Sequence, residues 1–292
     1  MRLLKVDQRT PEWHSWRKTK ITASMAPVIM GVSKWQTPYE LFMEIAGLKQ
    51  PRPPNFAMMQ GIQVEEQVLE MFNHVINKSG SNPCNFVPCV VESSEIDYIG
   101  ASLDGWCEEC QMLVEIKNAN EKDHELARLE IVPTHYIPQV QFQLVVTGTH
   151  QGYYCSHRNG EIIIVPVYQD GEYILDMMQK VNEFKTCLDT GVFPDMGEKD
   201  ILNMEDDEEW KHLCTKYFVT KSQCNFWMDE MDKLTNELEK KCDGKNAEGH
   251  GVRLKKIVRR GTIDYSKISE LKDIDVEQYR RPDTIYYKIS DI

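Results

Sequence analysis

The sequence predicts a mixed α/β (α+β) fold: a central mixed β-sheet flanked by helices, with a C-terminal extension of a long helix and a small β element. Three observations carry this. The apolar period changes from helical to alternating near residue 84 and reverts after residue 118. A second alternating stretch, "QGYYCSHRNGEIIIVPVYQ", is turned at Asn159-Gly160, a strong hairpin signal. Helical segments stand before, between and after these strand groups.

Taken in order, residues 9 to 48 read mostly helical. Thr10 and Thr37 each precede a proline, Pro11 and Pro38, which places a capping hydroxyl before a ring that suits the first helical turn. "AMMQGIQVEEQVLEMFNHVI" is an amphipathic helix with Val64, Val68, Met71, Phe72 and Val75 on its apolar side. "FVPCVVES", "YIGASLDGWC" and "MLVEIKN" follow as three strands. Residues 119 to 148 return to helix, best in "YIPQVQFQLVVTG", and "EYILDMMQKVNEFKTCLDTG" is a further helix after the hairpin. This first domain is assigned to residues 1 to 197. Residues 198 to 292 form the extension, with "GVRLKKIVRRGTIDYSKI" read as a hairpin and "DTIYYKIS" as a last strand.

The 292 residues include 41% hydrophobic and 27% charged, enough for a sizeable core. A net charge of −12 argues against wholesale coating of nucleic acid but leaves room for a local basic groove. The longest apolar runs are too short to cross a bilayer, and the first residues lack a signal peptide's pattern. The expectation is a soluble intracellular protein whose nine cysteines are reduced. Cys107 and Cys110, with Cys84 and Cys89 nearby, invite a zinc or iron–sulfur reading. Their expected places, in a hairpin turn and on the two faces of a strand, favour free thiols instead. His14, His124, His135 and His157 show no ligand spacing, and no phosphate-cradling glycine loop is present.

The chemistry concentrates in "ASLDGWCEECQMLVEIKNAN". Asp104 is expected to end the second strand. Glu115 and Lys117 are two apart on the third, so their side chains share a face while Ile116 turns into the core. A turn through Cys107 to Gln111 brings Asp104 beside Glu115. Two such carboxylates repel unless a cation lies between them, and hard oxygen ligands suit Mg²⁺ or Mn²⁺. The plainer alternative is a surface hairpin with a cross-strand ion pair. The apolar residues around the pair weigh against it, because unpaired buried charge is costly. Glu65 and Glu66 offer a third carboxylate, with Glu66 nearer solvent. Arg17 can fork two phosphate oxygens, whereas Trp13 and Trp16 read as core or wall. Five basic residues within 253 to 260 read either as a charge-guarded edge strand or as a grip on duplex DNA.

The ordered set "EWHSWRKTKITAS", "GIQVEE", "SLDG", "VEIK" and "YIPQVQFQLVVTG" resembles the lambda-type exonucleases, or YqaJ-like viral recombinases, of the PD-(D/E)xK nuclease superfamily. The resemblance spans about residues 9 to 195. It implies a restriction-endonuclease-like core and a metal-dependent exonuclease acting on linear duplex DNA. It further implies two Mg²⁺ ions held by Glu65, Asp104, Glu115 and the Ile116 carbonyl, with Lys117 and Gln139 completing the catalytic set. Gln141, two residues on, is the other glutamine of the pair. Arg17 and Ser24, joined by Ser102, are implied phosphate ligands. A single-strand annealing protein is the implied partner, a homotrimer the implied assembly and a virus or prophage the implied source, with the protein in the cytoplasm of the host. Leu103 stands where the family signature often has proline.

Overall fold

The computed structural model describes residues 1–51, 53, 56–79 and 84–257. The chain divides into two compact units, Met1–Asn203 and Met204–Ile292. No helix among the described residues is long and apolar enough to cross a membrane.

The first unit carries β1 (Arg2–Leu4), α1 (Pro11–Arg17), β2 (Ile21–Thr22), α2 (Ala26–Ile29), α3 (Pro38–Ile45) and α4 (Phe56–Ser79). It continues with β3 (Val87–Glu92), β4 (Ile99–Cys107), β5 (Met112–Asn118), α5 (Glu121–Arg128) and α6 (Ile137–Thr147). A hairpin of β6 (Gln151–Arg158) and β7 (Glu161–Tyr168) and the helix α7 (Gly171–Thr190) complete it. The caps are those expected locally. The Thr10 hydroxyl accepts the Trp13 N–H, and Thr37 closes a capping box with Glu40. Asn159 and Gly160 both take positive φ, as a two-residue hairpin turn requires.

The sheet runs β1-β3-β4-β5-β6-β7, with β2 a seventh strand pairing β4. It is mixed: β5 and β6 are parallel, joined through α5 and α6, and β2 is parallel to β4. One face packs on α2, α3, α6 and α7 through a core that includes Val91, Leu103, Leu113, Phe142 and Met177. The other packs on α4 through Val68, Leu69, Phe72, Phe86, Val114 and Ile116. Phe72 is fully buried, and its truncation to alanine would cost about 3–5 kcal/mol.

Two irregularities interrupt the sheet at β4. One edge of β4 is paired with β3, but the other is shared: β2 pairs Ile99 and Gly100, and β5 pairs only Gly105 to Cys107. The ladder therefore forks, and residues 101 to 104 face the gap. In addition, the β3–β4 register shifts between Val87↔Trp106 and Cys89↔Leu103. Pro88 thus stands against both Asp104 and Gly105, a β-bulge at a residue that has no N–H to give the ladder.

Several expectations are corrected. Asp104 lies inside β4, not at its end, because the strand continues to Cys107. Residues 21 and 22, expected within a mostly helical stretch, form β2, since the open edge of β4 offers them a ladder. Residues 119 to 148 hold two helices. On α4, Val75 is 43% exposed and Leu69 takes the place expected for it in the core.

The second unit contains α8 (Glu208–Lys241), whose N-cap Asp207 accepts the Trp210 N–H, and a small hairpin of β8 (Ala247–Gly249) and β9 (Val252–Leu254). This hairpin is earlier and shorter than the expected one, because His250 and Gly251 supply the positive-φ turn. Residues 255 to 257 continue without strand structure. The remainder of the basic run and "DTIYYKIS" lie outside the described residues.

Candidate active site

The fork in the sheet is where the chemistry-bearing residues gather. Beyond Gly105↔Val114 the next antiparallel pair would be Asp104 and Glu115, but the ladder stops there. The bulge turns Asp104 across the gap, and its Oδ2 accepts the Ile116 N–H at 2.7 Å. A carboxylate thus substitutes for a missing ladder bond. Gly105 is needed beside it: a Cβ there would stand 2.7 Å from Val114 Cγ1 and 3.0 Å from Leu69 Cδ1.

Glu115 turns toward α6 and is 1% exposed. Such a charge survives only with donors around it, and it has three. Gln139 Nε2 meets Oε1 and Gln143 Nε2 meets Oε2, each at 2.5 Å, and Lys117 Nζ bridges to Oε1. Lys117 is further held 5.5 Å from the Tyr136 ring centroid. Helix α6 is buried on nearly every side, so its glutamines must find partners within the protein. Gln141 finds different ones: its amide spans the Tyr168 carbonyl at 2.8 Å and the Asp170 N–H at 3.1 Å, clamping β7 to α7.

Burial pushes the Asp104 carboxyl well above the usual carboxylate range, reinforced by Glu115 and, more weakly, by Glu65. Burial alone would lower the Lys117 ammonium, but Glu115 and Asp104 more than reverse it and hold it charged. Glu65 lies on α4 with its carboxylate 2.5 Å from Arg9 Nη2. Glu66, one residue on, is exposed.

The carboxylates of Glu65, Asp104 and Glu115 do not all come within 4.8 Å of one another: the only set of three potential ligands that close, among the described residues, is Cys84, Cys107 and Cys110. The reason is electrostatic. Arg9 draws on Glu65, while Lys117 and the two glutamines hold Glu115. A cation fits the donor set nonetheless: Glu115 and Glu65 push the Asp104 carboxyl up, and a divalent ion held by hard oxygens relieves that repulsion.

A second network lies on the β2 side of the fork. Arg17 Nη2 donates to Ser24 Oγ at 2.7 Å, and the Thr22 and Ser24 hydroxyls are 3.2 Å apart. The guanidinium sits 5.1 Å from the Trp13 ring centroid, and Trp13 Nε1 donates to Ser102 Oγ at 2.7 Å. Trp13 therefore connects Ser102 to Arg17 and Ser24. Burial lowers the Arg17 guanidinium from its ordinary value. Helix α1 is fixed by Trp16, whose indole donates to Glu92 at 2.8 Å and packs where a Cβ on Gly100 would intrude to 2.6 Å.

Reading the sequence alone misses two residues at this centre. Gln143 is one helical turn after Gln139, so i,i+4 spacing was an available signal. Arg9 gave none: it reaches Glu65 from a loop position with φ of +69°.

Residues 12–150 match the model of the YqaJ-like viral recombinase domain. The chain is 24% identical over 172 residues to the uncharacterised protein YqaJ of Bacillus subtilis (strain 168), a match covering 58% of this chain and 53% of that protein, about half its length. The fold is similar to that of the alkaline exonuclease LHK-Exo from Laribacter hongkongensis, with a TM-score of 0.52 and 23% identity, covering 62% of this chain and 94% of that one. The same enzyme solved with dAMP gives a TM-score of 0.52 at 22% identity, with the same coverage. Over residues 12–150 the chain is therefore similar to the YqaJ-like viral recombinase domain, and its fold is similar to that of the alkaline exonuclease LHK-Exo.

Proposed function

We propose that this protein is a metal-dependent deoxyribonuclease that hydrolyses phosphodiester bonds at the ends of linear duplex DNA. The observation that carries this reading is the Asp104–Glu115–Lys117 cluster, with two glutamines from α6, in the fork of the sheet. Glu65, Asp104 and Glu115, with the Ile116 carbonyl, would hold divalent cations, Mg²⁺ first and Mn²⁺ as a substitute. When bound, such ions supply Lewis-acid activation of the attacking water and neutralise charge at the leaving oxygen.

The chain's own residues do the rest. Lys117 is kept protonated by its carboxylate neighbours, so it acts as a positioned donor to a phosphate oxygen rather than as a base. Gln139 and Gln143 fix the carboxylate that orients Lys117, which limits reorganisation during the reaction. Arg17, Ser24 and Ser102 present donors for a second phosphate, and the stacked, partly desolvated guanidinium suits a terminal phosphate dianion. End selection at a 5′ phosphate follows, with 5′-to-3′ degradation and a 3′ single strand as product. That product would be taken up by a single-strand annealing protein, and a homotrimer around the duplex would make the reaction processive.

Incubation with linear and closed-circular duplexes, with Mg²⁺ or with EDTA, tests the reading. Linear DNA should be degraded only with the metal. Cutting of closed circles would convert the assignment to an endonuclease, and cutting of neither would leave a DNA-binding adaptor. Arg17→Ala should lose about 10–100-fold on 5′-phosphorylated ends, the worth of a charge-assisted hydrogen-bond pair, and little on 5′-hydroxyl ends. Equal rates of the parent on both ends would refute the phosphate role.

A further inference from the structure

The turn end of the β4–β5 hairpin holds a group that the nuclease reading does not use. The Sγ atoms of Cys84, Cys107 and Cys110 all lie within 4.8 Å of one another. Cys107 is fully buried at the end of β4, Cys110 is in the turn, and Cys84 precedes β3. The fourth nearby cysteine, Cys89, belongs to the other face of the sheet, packed with the core on the α6 side.

The convergence is built rather than incidental. Two asparagines one turn apart on α4 grip the chain leading into β3. Asn77 donates its amide to the Cys84 carbonyl at 3.0 Å and accepts the Cys84 N–H at 2.8 Å. Asn73 does the same to Phe86, at 3.0 and 2.9 Å. Cys84 is thereby pinned at both of its backbone polar groups. The turn is fixed from the other side by Gln111, which takes positive φ and donates its amide to the Glu108 carbonyl at 2.8 Å. Next to the thiols stands a carboxylate: Glu109 Oε2 is 3.1 Å from Cys107 Sγ and also accepts the Asn85 N–H.

Three sulfurs supply three of the four ligands of a tetrahedral zinc site, while Glu109 meets Cys107 without closing on all three. With Zn–S bonds near 2.3 Å, tetrahedral thiolates lie about 3.8 Å apart, within an ångström or so of the 4.8 Å that bounds the trio. We propose that Cys84, Cys107 and Cys110 bind a Zn²⁺ ion as three thiolate ligands. Binding converts three thiols to thiolates and releases three protons to solvent. The ion would tie the chain leading into β3, which Asn77 and Asn73 hold against α4, to the β4–β5 turn. Since α4 carries Glu65 while β4 and β5 carry Asp104 and Glu115, it fixes the three carriers of the carboxylate centre relative to one another. The proposal does not depend on the nuclease reading.

The test uses the full chain, freed of metal under reducing conditions and titrated with Zn²⁺ alone or Co²⁺ alone. Co²⁺ should give a sulfur-to-metal charge-transfer band, which carboxylate ligands cannot produce. That band should be lost in Cys84→Ser and Cys110→Ser, and kept in Cys89→Ser and Asp104→Asn. Stoichiometric Zn²⁺ should protect Cys84 and Cys110 of the parent against alkylation while leaving the exposed Cys224 reactive, a readout that needs no variant to fold. A parent without the band, a band indifferent to Cys84 and Cys110, or alkylation unchanged by Zn²⁺ would overturn the proposal.

Discussion

The two ends of the β4–β5 hairpin make an instructive pair. At the turn end, three thiols converge to within 4.8 Å of one another. At the open end, Asp104 and Glu115 occupy what would be the next pair of the ladder, yet the strands part there. The difference is one of charge. Neutral thiols pack as small hydrophobes and hydrogen-bond weakly to one another, whereas carboxylates approaching in a half-buried space each need a compensating donor. The open end supplies those donors one by one: the Ile116 N–H for Asp104, Arg9 for Glu65, and Lys117, Gln139 and Gln143 for Glu115. Under the two proposals, a zinc ion would complete one end and harder divalent ions the other.

The largest effect should come from removing the cation the open end keeps for itself. Lys117→Ala is expected to lower the cleavage rate by about 10²–10⁴-fold with duplex binding retained, measured by single-turnover kinetics beside a filter-binding titration. Parental cleavage in that variant would remove Lys117 from the chemistry. Next, Gln143→Leu should cost about 10–100-fold in activity, the range for groups that orient a metal-binding carboxylate. An unchanged rate would mean that Gln139 and Lys117 suffice to hold Glu115.

The third prediction concerns stability. The Asp104 carboxyl is held above its unfolded value, foremost by burial and then by Glu115. The folded state therefore binds the proton more tightly than the unfolded one, and stability is lost as pH rises from the unfolded pKa through the folded one. Asp104→Asn keeps an acceptor for the Ile116 N–H and removes that loss. In EDTA it should melt above the parent at alkaline pH, with the gap closing in acid. A gap independent of pH would show that the carboxyl is not strained. The smallest effect is expected at the turn end, where Asn73→Ala removes two hydrogen bonds to Phe86. It should cost about 1–3 kcal/mol by urea unfolding, with no change in cleavage chemistry.

Much of the architecture was legible because its determinants are local. Thr10 and Thr37 announce helix starts, Asn159-Gly160 announces a turn, and the two-residue step from Glu115 to Lys117 places both side chains on one face. The bulge at Asp104 was not legible, although Pro88 and Gly105, the residues that permit it, stand in plain sight. Which strand opposes which proline is a matter of long-range register. The same holds for β2, a two-residue strand that exists only because β4 leaves an edge open to it.

The sequence by itself determined the order of helices and strands, the donor types at residues 104, 115 and 117, and the presence of nearby thiols. Those follow from short-range periodicity and side-chain chemistry. Tertiary structure alone decided that the sheet forks at β4, that Gln143 and Arg9 join the carboxylates, and that Cys84 meets Cys107 and Cys110 while Cys89 does not. Each of these joins residues far apart in the chain, and only the packing of α4 and α6 on the two faces of one sheet brings them together.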